Sequence, residues 1–187
     1  MLNEVINTYN VLKKGGVILY PTDTIWGIGC DATNEASVAK IYAIKKRVES
    51  RSMIVLLDVP EKISLYVEKV PDFAYDLIEK YERPLTIIYP KAKNLPRNVV
   101  AHDGSIAIRI VRNEFCQKVI SMINHPLIST SANISGFGSP LSFAAISQEI
   151  KNAVDYIVPL YQDTISEMKA STIIRFINDF EYEIVRA

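Results

Sequence analysis

The sequence predicts an α/β protein of mixed α+β type, a twisted sheet of parallel and antiparallel strands flanked by helices. Three observations carry that expectation. Short apolar runs such as VILY, MIVLL and LTIIY recur between turn residues and are the length of strands rather than helices. Segments with apolar residues three and four apart alternate with them along the whole chain. The 187 residues, 49% apolar and 22% charged, suffice for one core and predict a single domain over residues 1–187.

The elements follow in order. Asn3 can cap a helix to Lys14 that carries Val5, Ile6, Tyr9 and Leu12 on one side, with Gly15 and Gly16 as its stop. Val17 to Tyr20 is a buried strand closed by Pro21, and residues 21–33, PTDTIWGIGCDAT, read as one long turn. Asn34 caps a second helix to about Lys46. Met53 to Leu57 is a strand, and Pro60 and Pro71 open short helices that turn Ile63, Val67, Phe73, Leu77 and Ile78 inward. Leu85 to Tyr89 and Ile106 to Val111 are strands, and Asn113 to Ile123 is a helix. Leu127 and Ile128 form a brief strand that opens into STSANISGFGSP, and Phe143 to Ile150 is helical. Tyr156 to Val158, Thr172 to Phe176 and Tyr182 to Val185 are late strands, the last two joined by a turn at Asn178-Asp179.

Composition excludes several chemistries. The 21 basic residues balance 21 acidic ones, so bulk attraction to nucleic acid is not expected and any anion site must be local. No run approaches the roughly 20 apolar residues of a membrane helix, and the acid-first N-terminus does not read as a secretory signal. Two cysteines and two histidines cannot build a zinc site, and a cytoplasmic setting follows from the sparse cysteine. Cys116 lies in a helix-like stretch and reads as a small core residue. No carboxylate pair suggests glycoside hydrolysis and no GxSxG suggests acyl hydrolysis.

Three features can carry chemistry. PTDTIWGIG follows a strand directly. Its glycines Gly27 and Gly29 permit close backbone approach, and the hydroxyls of Thr22 and Thr24 can donate to an anionic or amino-acid ligand, although the segment also reads as a glycine-rich surface turn. KKRVESR gathers Lys45, Lys46, Arg47 and Arg51 within seven residues, either as a phosphate-binding set or as ordinary cations at a helix end. STSAN, residues 129–133, sets short polar side chains at a strand end, where open α/β sheets bind ligands; it also reads as a loop capping the next helix. Arg109 interrupts the strand SIAIRIV on the face opposite Ile106, Ile108 and Ile110, where a charge needs a partner, a ligand or solvent. Together these describe a pocket for a phosphate-bearing anion.

The ordered set of PTDTIWGIG, K-x-R at Lys45 and Arg47, AIRI around Arg109, STSAN and STIIR resembles the YrdC-like family of threonylcarbamoyl-AMP synthases over roughly residues 15–187. The resemblance implies a mixed sheet around a deep cationic cleft. It also implies a reaction that joins L-threonine, bicarbonate and ATP into threonylcarbamoyl-AMP and pyrophosphate. ATP is then a substrate accompanied by Mg2+, with no protein metal ligand expected. The product would feed a downstream threonylcarbamoyl transferase complex that modifies the adenosine beside the anticodon of tRNA. Carried over by motif, Lys45 and Arg47 are catalytic. ATP would meet Lys45, Arg47, Arg51, Ser105, Ser131, Asn133, Ser139 and Arg186. L-threonine would meet Thr24, Arg109, Ser129 and Ser171. The chain ends soon after Arg186, as expected of the short form without a further C-terminal domain.

Val48 and Ser52 stand where the family has prolines, and YERPLT at 81–86 departs from the family's WPGPLT; these departures bear on loop rigidity. A competing expectation is a paralogue of the same fold that binds nucleotide, tRNA or double-stranded RNA without this synthesis. A third is a non-catalytic interaction domain whose motifs are coincidental turns.

Overall fold

The structure, a computed structural model, describes residues 1–46, 53–163 and 170–187. Helix α1 spans Leu2–Lys13 and α2 spans Glu35–Lys45; α3 is Asp72–Lys80, α4 is Glu114–Ile123 and α5 is Gln148–Ala153. The strands are β1 Ile18–Tyr20, β2 Gly27–Gly29, β3 Ile54–Leu57, β4 Leu85–Tyr89, β5 Ile106–Ile110, β6 Leu127–Ser131, β7 Tyr156–Ile157, β8 Thr172–Phe176 and β9 Tyr182–Arg186. A 3-10 turn covers Pro60–Leu65.

Local chemistry accounts for most boundaries. Asn34 accepts from the Ser37 N–H and starts α2; Asn113 accepts from the Cys116 N–H and starts α4; Ser147 does the same for α5 through Ile150. Lys46 and Asn124 end α2 and α4 in the left-handed conformation. Three expectations need correction. Helix α1 begins at Leu2 with no side-chain cap, so Asn3 lies inside its first turn. Residues 21–33 are not one turn, because Gly27–Gly29 pair antiparallel with β1. The helix expected from Phe143 begins only at Gln148, where Ser147 supplies the cap that the preceding residues lack.

The strands run β7-β1-β2-β6-β3-β5-β4-β8-β9 in one mixed sheet. Pairs β1–β7, β3–β5 and β4–β8 are parallel, and the others are antiparallel. Register separates the faces. Leu19 aligns with Ile28, and Ile128, Val55, Ile108, Ile87 and Ile174 align across neighbouring strands; all belong to the larger buried core. Burial of each such side chain is worth roughly 1.5–3 kcal/mol. The opposite face divides in two. At one end Ile18, Tyr20, Leu56 and Leu127 pack with Phe115, Cys116, Val119 and Ile120 of α4 and with Val5 and Leu12 of α1. Farther along, the same face carries Ser129, Ser131, Arg109, Thr86 and Arg186, and there it borders a cavity.

Candidate active site

The cavity measures about 210 Å³. The first expected motif enters it through the turn between β1 and β2. The Thr22 hydroxyl donates to the Ile25 carbonyl at 2.8 Å and lies 2.9 Å from the Thr24 hydroxyl. This contact ties Thr24, which borders the cavity, into the turn. Both hydroxyls expected to meet a ligand thus also hold the turn in shape. Glycine is required next. A Cβ at Gly29 would sit 2.3 Å from the Ile128 carbonyl and 2.7 Å from the Tyr20 ring. Tyr20 passes there to donate to that same carbonyl at 3.0 Å.

The second motif is described only up to Lys46. Arg47 and Arg51, with the departures at Val48 and Ser52, lie outside the described residues. Lys45 is 2% exposed, and its ammonium donates to the carbonyls of Ser131 at 2.5 Å and Asn133 at 2.8 Å. It therefore fixes the end of β6 from behind.

STSAN extends β6 to Ser131 instead of ending it at Ile128, because Ser129 pairs with Ile54 and Ser131 with Gly27. Ser129 and Ser131 thereby join the cavity wall with Ser139. The Asn133 amide donates to the Ile134 and Phe137 carbonyls and so shapes the loop that carries Ser139. Its Oδ1 is buried without a hydrogen-bond partner.

Arg109 is 3% exposed and lines the cavity. Its Nη2 lies 3.2 Å from Oδ1 of Asp23, yet neither Nη2 nor Nε has an aligned hydrogen bond among the described residues. Register puts Arg109 beside Leu56 and Thr86, then Ile173, then Arg186. Arg186 donates through Nε and Nη2 to the Ser171 carbonyl at 3.1 and 2.8 Å. The Ser171 hydroxyl meets Thr86 at 2.7 Å. Partial burial, and then the positive field of Arg109, lower the pKa of Arg186, so two guanidinium groups share this end of the site. No Asp or Glu stands among the described lining residues.

Thr24, Arg109, Ser129, Ser131, Ser139, Ser171 and Arg186 thus border one cavity. Ser105 does not line it. It lies just before β5 on the Arg109 face, roughly 13 Å away at strand rise. Its hydroxyl donates to Asp103 at 2.6 Å. Sequence reasoning missed Asp23 and Thr86, both of which touch expected site residues. The acid inside PTDT was a usable signal for Asp23; nothing local marked Thr86. Burial raises the thiol pKa of both Cys30 and Cys116, and both are free, which leaves no activated thiol nucleophile among the described residues. No group of three or more His, Cys, Asp or Glu among them could hold a metal ion. Nor is any helix among them long and apolar enough to cross a membrane.

The site is thus a buried arginine at a hydroxyl-lined cavity on a mixed α/β sheet. Residues 10–187 match the model of the Sua5/YciO/YrdC family, described as telomere recombination. The chain belongs to that family. A threonylcarbamoyl-AMP synthase of Pseudoalteromonas translucida is 33% identical over 150 residues, covering 79% of this chain and 80% of that protein. One of Halorhodospira halophila is 30% identical over 149 residues, covering 79% and 78%. Among solved structures, Sua5 of Pyrococcus abyssi complexed with L-threonine has a TM-score of 0.85 at 24% identity; the match covers 99% of this chain and 54% of that one. YciO of E. coli has a TM-score of 0.85 at 23% identity, covering 100% and 89%. These two establish the fold. The chain spans about half the length of the Pyrococcus Sua5.

Proposed function

We propose that this chain is a threonylcarbamoyl-AMP synthase. The observation that carries the reading is Arg109: a guanidinium 3% exposed, with Nε and Nη2 lacking hydrogen-bond partners among the described residues, at the wall of a cavity of about 210 Å³. Beside Asp23 such a group keeps donors for a second anion, since buried guanidinium N–H groups short of hydrogen bonds are costly. The cavity lies below the roughly 300–1,000 Å³ of pockets that enclose drug-sized ligands. That scale suits an amino acid, and the relatives at 33% and 30% identity are named for the threonine reaction.

In this reading Arg109 receives the threonine carboxylate. Thr24 accepts from the threonine amine, and Ser129 and Ser171 border the side chain. The amine nitrogen attacks bicarbonate carbon and water leaves, giving a carbamate. A carbamate oxygen then attacks the α-phosphorus of ATP, and the bond from that phosphorus to the α,β-bridging oxygen breaks to release pyrophosphate. Charge grows on the phosphates, so fixed donors and cations stabilise the transition state. Ser131, Ser139 and Arg186 meet the nucleotide side, and Ser105 lies farther along the same face. Asn133 and Lys45 hold the β6 end in place, and Arg47 and Arg51 serve as further cations for the ATP phosphates. The product then serves a transferase complex acting on cytoplasmic tRNA.

The test is a reaction with labelled bicarbonate, L-threonine and ATP. Labelled acyl-adenylate that requires all three supports the reading. Pyrophosphate release indifferent to threonine would sink it, and salt-sensitive RNA binding without that turnover would favour the RNA-binding paralogue instead.

A further inference from the structure

Asp23 is the acid that Arg109 meets among the described residues, and it is itself anchored. Its Oδ1 lies 3.2 Å from Arg109 Nη2, with the two side chains 8% and 3% exposed. Its Oδ2 accepts from the Arg112 N–H at 3.0 Å. Arg112 is in turn fixed across the C-terminal end of α3: it donates to the carbonyls of Ile78 at 2.9 Å, Tyr81 at 2.7 Å and Glu82 at 3.1 Å. The carboxylate is thus braced by the chain just beyond β5.

The geometry of the ion pair separates two roles. A pair serving stability alone favours the parallel fork of two aligned bonds. Here Asp23 Oδ1, Arg109 Nε and Arg109 Nη2 all lack hydrogen-bond partners among the described residues although the charges are close. Asp23 compensates the buried charge while leaving guanidinium donors unspent at the cavity. We propose that Asp23 is a positioning residue: it holds the Arg109 guanidinium in the orientation that receives the substrate carboxylate. The identity of that carboxylate as threonine rests on the proposed function; the restraint of Arg109 belongs to the ligand-free protein. The rival role, an internal anion competing with substrate, predicts the opposite sign in affinity.

Asp23→Asn tests this, because the amide oxygen still accepts from the Arg112 N–H while the charge at Arg109 is lost. In ligand-free protein the Arg109 Nε–H resonance, assigned by its absence from Arg109→Lys, is expected to exchange with solvent at least about tenfold faster in Asp23→Asn. Unchanged exchange overturns the proposal whether or not threonine is the substrate. In turnover, the KM for L-threonine is expected to rise at least about tenfold, with the KM for ATP within threefold of wild type. An unchanged or lower threonine KM, or an equal rise in both, also overturns it. Should Asp23→Asn not fold, Asp23→Glu replaces it: the charge remains but is displaced by one methylene, and the same two changes are expected. Wild-type protein that binds no threonine refutes the proposed function, and the exchange measurement still decides the role of Asp23.

Discussion

Arg109→Lys is the substitution that most directly examines the site. It keeps a positive charge opposite Asp23, so it avoids the roughly 3–5 kcal/mol cost of leaving one member of a buried pair alone. What it removes is the fork, including Nε and the Nη2 that now lies 3.2 Å from Asp23 and has no aligned hydrogen bond. Lysine is shorter and presents a point charge, so one charge-assisted bond to a bound carboxylate is lost. Such a bond is worth about 1.5–3 kcal/mol, which corresponds to a rise of roughly 10- to 150-fold in the KM for L-threonine at 1.4 kcal/mol per factor of ten. The assay is threonine-dependent pyrophosphate release at saturating ATP, alongside a thermal melt. A threonine KM within threefold of wild type, in a variant that melts as wild type does, would refute the assignment of Arg109 to the carboxylate.

Three further outcomes follow from the same geometry. Lys45→Met should leave the carbonyls of Ser131 and Asn133 without their buried donor; at roughly 1–3 kcal/mol for each, the melting temperature should fall by about 5–20 °C and synthesis should drop with it, whereas an unshifted melt would contradict that bracing role. Gly29→Ala should destabilise the protein by about 1–3 kcal/mol through overpacking against the Ile128 carbonyl and the Tyr20 ring; a denaturant midpoint equal to wild type would disprove the close approach. Asp103 has its pKa lowered, chiefly by the Ser105 hydroxyl and then by the Ser105 N–H. A depressed folded-state pKa contributes stability above the unfolded value of 3.8, which is lost as pH falls through the folded one. Ser105→Ala should therefore raise the Asp103 titration midpoint toward 3.8 in a carboxyl NMR titration, and no movement would dismiss the hydroxyl as the cause.

Where a property is carried by neighbours in the chain, the sequence was sufficient. The alternation in SIAIRIV placed Arg109 opposite the isoleucines, and the structure puts it on the less covered face of the sheet. The caps at Asn34 and Asn113 and the turn at Asn178, whose side chain accepts from the N–H groups of Phe180 and Glu181, were legible because a capping side chain answers its own backbone within a few residues. Strand β2 was not legible: three residues, two of them glycine, have no periodicity, and their pairing depends on β1 and β6.

The sequence by itself determined the mixed α/β class, most elements, the family motifs and the polar residues Thr24, Arg109, Ser129, Ser131, Ser139, Ser171 and Arg186 that now border the cavity. Only the tertiary structure decided their roles toward one another. It set Lys45 against carbonyls 86 and 88 positions away and brought Asp23 of the first motif to Arg109 of the third. Local sequence specifies dihedral preferences and which side of a strand a residue takes. Whether a buried charge is neutralised, or left with donors for a ligand, depends on groups that only long-range strand pairing brings within a few ångströms.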